Sequence, residues 1–136
     1  MPIHIDFFHP GRLVIIVARG VVTNDDLASS FRQLIESGAL HYRKIIDISS
    51  PSNPMSAEDI EGTAARFRSL PNAAARGPIA FVVGPGRAAE NAMRFAALTE
   101  GERPVRVFHS LHEARKWLEQ QPVGVPVPGA PKPSGP

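Results

Sequence analysis

Leu13 to Ala18, Ile45-Ile46 and Ile79 to Val83 are short, continuous apolar runs with no polar side to offer to water. Strands of that kind have to be covered on both faces, as the inner strands of a helix-covered parallel sheet are. Two flanking segments behave differently. Ile3, Ile5 and Phe7 alternate with His4, Asp6 and Phe8, the period of a strand with one buried face, so this strand is expected at an edge. His9-Pro10-Gly11 supplies a turn, proline presetting φ and glycine free to take φ > 0, and residues 12 to 20 should return antiparallel as a hairpin. Val105, Val107 and Phe108 around Arg106 restore partial alternation and predict a fifth strand at the other edge.

Helical periodicity fills the intervals. Leu27, Phe31, Leu34 and Ile35 share one face of a helix that opens at Thr23-Asn24-Asp25-Asp26 with a capping box and stops near Gly38. Ile60, Ala64 and Phe67 mark a second helix, beginning at Ser56-Ala57-Glu58-Asp59 and broken by Pro71. Ala89, Ala92, Met93 and Ala96 mark a third that ends near Gly101. Leu111, Ala114, Trp117 and Leu118 mark a fourth, started by Ser110-Leu111-His112-Glu113. No internal repeat is present, which excludes a solenoid. The order specifies an α/β domain: a five-stranded mixed sheet with an N-terminal antiparallel hairpin, parallel later strands and four helices. Right-handed crossovers in a sheet that grows in one direction would put every crossover helix on one face. The other face then needs a reversal of strand order, a last helix that wraps around, or a second subunit.

The length of 136 residues suits one domain. Residues 122 to 136 hold six of the fourteen prolines and three of the eleven glycines, a composition that favours extended, solvated backbone. The expected division is a domain over 1–121 and a Pro/Gly-rich C-terminal tail over 122–136. With 43% hydrophobic and 21% charged residues the chain is not of the disordered class. No apolar run approaches the ~18 residues of a membrane-spanning helix. The absence of cysteine excludes disulfides and thiolate metal sites, and with no basic-then-apolar leader at the N-terminus a cytoplasmic location is expected. The pI near 9.5 invites a nucleic-acid reading. Fifteen basic against thirteen acidic residues leave only +2, however, and twelve of the fifteen are arginines, which hold their protons to high pH. The arginines lack aromatic interleaving, so no nucleic-acid partner is expected.

In parallel α/β sheets the carboxyl ends of the strands meet helix N-termini and form the crevice where ligands bind. That rule selects Asp47, Ser49 and Ser50 after the third strand, Gly86 and Arg87 after the fourth, and His109 after the fifth. Gly84-Pro85-Gly86-Arg87-Ala88-Ala89 is a loose dinucleotide fingerprint. It follows the wrong strand, lacks the acidic residue about 20 positions on, and Pro85 removes an N–H that a phosphate would use, so it reads as a glycine-rich helix start. Asp47, Ser49 or Ser50, and His109 have the residue types of a hydrolytic triad, but no G-x-S-x-G element is present, and an Asp-Ser turn after a strand is the simpler reading. His109 and His112 lack a third ligand for a metal. Asp25, Asp26, Glu58 and Asp59 sit in first helical turns, where negative charge offsets the helix dipole. No catalytic residue, metal or cofactor is assigned.

Arg19-Gly20-Val21-Val22-Thr23 after an apolar strand, then Lys44-Ile45-Ile46-Asp47-Ile48-Ser49, Ala80-Phe81-Val82-Val83, Met93-Arg94-Phe95, and Val107-Phe108 with Glu113-Ala114 and Trp117-Leu118 form an ordered set. Over residues 3 to 120 it resembles bacterial STAS-like proteins, which share the fold of anti-sigma-factor antagonists and, more remotely, of CRAL-TRIO lipid-binding domains. The resemblance implies a non-enzymatic interaction or regulatory module, usually with a protein partner; self-association is a separate expectation, resting on the double-faced central strands and on a tail that carries Val123, Val125 and Val127. In antagonist members a phosphorylated serine opens the helix after the third strand, in an Asp-Ser-Ser-Gly-like motif. The matching position is Ser56, in Met55-Ser56-Ala57-Glu58, which lacks that motif, and Glu58 and Asp59 would repel a phosphate there. Ser56 is therefore read as an N-cap. The alternative function is a domain that binds a small molecule or anion at the rim of Asp47, Ser49, Ser50, Gly86, Arg87 and His109, with a lipid as one ligand class and a small hydrolase ranking third.

Overall fold

A computed structural model describes residues 3–20, 23–48, 58, 61, 62, 64, 65, 77–84, 86–99 and 103–124, less the side chains of Asn24, Arg87 and Ala88. The strands are β1 (Ile3–Phe8), β2 (Leu13–Ala18), β3 (Arg43–Ile48), β4 (Ile79–Val83) and β5 (Val105–Phe108). The helices are α1 (Asn24–Glu36), α2 (Arg87–Leu98) and α3 (Leu111–Glu119). The strands form one sheet in sequence order, β1 antiparallel to β2 and the rest parallel. The hairpin, the two edges and the parallel core stand where the apolar pattern puts them.

Three helices are described in full, not the expected four. The helix expected to start at Ser56 lies mainly outside the described residues, although Glu58, Glu61, Gly62, Ala64 and Ala65 are helical. Ala64 is buried in one cluster with Ile79, Phe81 and Val83.

Each helix end can be traced to local chemistry. Thr23 Oγ1 accepts from the Asp26 N–H at 3.1 Å and Asp26 Oδ2 accepts from the Thr23 N–H at 2.9 Å, so the expected capping box is complete. At the other end of α1, Gly38 has φ 67°, its N–H donates to the Ile35 carbonyl, and Ala39 N–H donates to the Leu34 carbonyl. These two bonds make a Schellman motif, which needs a residue that tolerates the left-handed region. Buried Thr99 closes α2 by donating its hydroxyl to the Phe95 carbonyl at 2.9 Å.

The register divides the side chains cleanly between two faces. On one, Ile3, Val14, Ile16, Leu34 and Tyr42 pack with Leu27 of α1, and Ile79, Phe81, Val83, Ala92 and Phe95 pack with Ala89 and Leu98 of α2. Ile46 belongs to both groups, so α1 and α2 lie on the same side, as right-handed crossovers require. Phe81 and Phe95 meet edge to face at 5.7 Å. On the opposite face α3 buries Ala114 and Leu118 against Ile45, Ala80 and Val82, with Trp117 against Phe108. Of the three ways to cover that face, the chain uses the wrapped last helix, centred on β3 to β5.

The expected helix faces are corrected at three positions: Ile35 of α1 and Leu111 of α3 are exposed, as is Met93 of α2. Met93 is 62% exposed, while Phe95, absent from the expected set, is buried with Ala92. The run Ala92-Met93-Arg94-Phe95-Ala96 is apolar on several sides, and the large ring displaces the methionine from the core.

Candidate functional site

The carboxyl ends of β3, β4 and β5 form one rim by register. Asp47 lies between Val17 of β2 and Val82 of β4, and Ile48 lies beside Val83. Phe108 pairs with Val82, so His109 leaves the sheet level with Val83, the last residue of β4. The alternation of β3 puts Asp47 on the α3 face with Ile45, half-buried. His109 is exposed, and its Nδ1 is 3.2 Å from the Val83 carbonyl oxygen. A carbonyl only accepts, so Nδ1 is the donor in this bond. In this arrangement the imidazole is oriented by the backbone of β4, which is a different device from the carboxylate that orients a catalytic base.

Gly86 is the exposed N-cap of α2, with φ 108° and ψ −151°, backbone that only glycine adopts without strain. Among the described residues no side chain caps this helix; the Gly86 carbonyl accepts from Ala89 and Glu90 N–H at 3.2 and 3.4 Å. Ser110 caps α3 and accepts from the Glu113 N–H at 3.4 Å. Of the expected rim set, the structure thus brings Asp47, Gly86 and His109 to one end of the sheet. Ser49, Ser50, Ser56 and the Arg87 side chain lie outside the described residues. Among the described residues no group of three or more His, Asp or Glu side chains is placed to hold a metal.

The opposite rim carries a denser polar cluster that the sequence reading did not single out. Tyr42 is fully buried and its hydroxyl lies 2.7 Å from His9 Nδ1. His9 stacks on Phe7 and meets the Tyr42 ring edge-on, and His41 meets Tyr42 edge-on at 5.0 Å. Arg12, at φ 52°, sits over the Tyr42 ring and donates to the His9 carbonyl at 2.9 Å. Arg43 donates to the carbonyls of Leu118 and Gly11, and Lys44, only 4% exposed, donates to those of Leu40 and Tyr42 at 2.7 and 2.9 Å. Gly124 N–H donates to the His41 carbonyl at 2.7 Å. Arg12, Arg43 and Lys44 donate to backbone carbonyls from three segments, which pins the hairpin turn, the start of β3 and the end of α3 together. His41, 7% exposed, is held below the ordinary imidazole pKa by burial first, then by the charges of Arg12 and Lys44. A His-Tyr pair just before a strand was the available signal, but its partners come from Phe7 to Arg12 and from Gly124, far apart in sequence.

This architecture defines a STAS-like α/β fold. The chain is similar to the crystal structure of an uncharacterised protein of the DUF3478 family from Shewanella loihica PV-4, described as having a SpoIIAA-like fold. The TM-score is 0.57 at 17% identity, covering 85% of this chain and 91% of that one. No protein-family model matches the chain, and no curated protein matches its sequence. Among the described residues no helix is long and apolar enough to cross a membrane.

Proposed function

We propose that the chain is a non-catalytic STAS-like interaction or regulatory module that presents the rim of Asp47, Gly86 and His109 to a protein partner. The observation that supports this reading most is the fold shared with the SpoIIAA-like structure, combined with the state of the rim. His109 is held at Nδ1 by the Val83 carbonyl, which fixes the orientation of the ring on the rim. His109 and the N-termini of α2 and α3 present polar groups to a partner on fixed elements.

Affinity capture with the immobilised chain, compared with a variant carrying Asp47→Lys and His109→Glu, tests the reading. The native chain should enrich a partner that the variant loses. Recovery of the same proteins on both, or of none, contradicts it. The N-terminus of α2, without a side-chain cap among the described residues and on the same rim as His109, favours one second reading, a rim that binds a small anion. A thermal-shift series against nucleotides, phosphates and fatty acids separates the two, since a ligand at 100 times its Kd adds about 2.7 kcal/mol of stability. A cytoplasmic, bacterial setting belongs to the same proposal and is consistent with the cysteine-free composition.

A further inference from the structure

The two edges of the sheet are unlike. Natural edges are kept from pairing by shortness, lysine, proline or a bulge. Strand β5 is four residues long and carries exposed Arg106. Strand β1 is six residues long, contains neither lysine nor proline, and pairs with β2 without a bulge from Ile3↔Ala18 to Phe8↔Leu13. Among the described residues no backbone hydrogen bond reaches β1 from any element besides β2. Its outer face also carries Phe8, 49% exposed.

The side-chain order of β1 is complementary to itself. His4 and Asp6 stand on one face, with Nε2 3.2 Å from Oδ1, between apolar Ile3, Ile5 and Phe7 on the other. If a second copy runs antiparallel about a two-fold axis at Ile5, His4 faces the partner's Asp6 and Asp6 faces the partner's His4. Every imidazole then has a carboxylate both along its strand and across from it. On the α1 face, Ile3 meets the partner's Phe7, and Ile5 meets the partner's Ile5, extending the apolar cluster of Ile3, Ile5, Phe7 and Val14. Phe8 falls diagonally from the partner's His4, within reach of an aromatic side chain. Other registers lose this match. A shift of two residues sets His4 against His4 or Asp6 against Asp6, and a shift of one opposes His4 to Ile5.

We propose that the chain forms a two-fold homodimer by antiparallel pairing of β1 with β1 of a second copy, His4 opposite the partner's Asp6, joining the two sheets into one. The contact is isologous and closes on itself, so it leads to dimers and not fibres. It is independent of the rim: a monomeric chain could still present Asp47 and His109. An edge contact of this length lies at the low end of interface sizes, so the dimer should be weak, with a Kd on the order of 10–100 µM.

Sedimentation equilibrium across that range is the test. The native chain should show monomer–dimer exchange, and His4→Glu, which opposes two carboxylates in each of two symmetric pairs, should raise Kd about tenfold or more. Adding Asp6→Lys to His4→Glu should restore the native Kd in this register and in no like-with-like register. The His4 and Asp6 side chains are 72% and 55% exposed, so both variants should keep the native thermal melt. A native chain that stays monomeric throughout overturns the proposal. So does a dimer that His4→Glu leaves intact, or a double variant no tighter than the single one.

Discussion

Gly77 shows how a single atom can be excluded by distant segments. It is buried where β3 and β4 begin, and a Cβ there would overlap the carbonyl oxygens of Tyr42 and His41. These are backbone atoms fixed by the polar cluster of that rim, so they cannot move aside cheaply. Gly77→Ala should cost about 2–3 kcal/mol, read as a lower urea midpoint at unchanged slope. His41 makes a pH-dependent prediction. Its folded pKa lies below the ordinary value, so between the two values the unfolded chain binds the extra proton. The stability it contributes is present above about pH 6.5 and is lost as the pH falls toward the lowered folded value. Thermal melts between pH 8 and 5 should show that fall, and His41→Gln should flatten it. At this scale the sequence was uneven. The capping box of Thr23 and Asp26 is legible because both partners lie within four residues. The lowered pKa of His41 is not, because its causes include burial and the charge of Arg12, which only the fold brings from the hairpin turn.

Among the elements, α3 carries a disproportionate load. Leu118 and Ala114 are its buried contribution to the face opposite α1 and α2, and Arg43 bonds the Leu118 carbonyl at 3.2 Å. Leu118→Ala should destabilise by about 2–5 kcal/mol, whereas Met93→Ala, on the exposed side of α2, should stay within about 0.5 kcal/mol. Denaturant melts of the two variants side by side check both. The contrast marks where periodicity succeeds. In α3 the apolar positions are few, so Ala114, Trp117 and Leu118 identify the buried face, although Leu111 in the first turn is exposed. In α2 they crowd around the helix, and only packing against Phe81 decides that Phe95 goes in and Met93 stays out.

For the whole molecule, the α/β order, the hairpin and both edges follow from apolar runs, alternation and punctuation by turns, while the cover of the second face required the structure. The wrapped helix reaches β3, β4 and β5; the outer face of β1 and β2, with Phe8, Leu13 and Ile15, is only partly covered. The rim rule located Asp47, Gly86 and His109 together because parallel strands in sequential order must end on one side. The rule places these residues and does not tell a reaction centre from a recognition surface. The most direct test of the interaction-module account is hydrogen–deuterium exchange on the chain with and without the partner recovered by capture. The account predicts slowed exchange at 47–48, 84–86 and 109–111, with 9–12 and 41–44 unchanged. Protection confined to 9–12 and 41–44, or none on the rim at saturating partner, would contradict it.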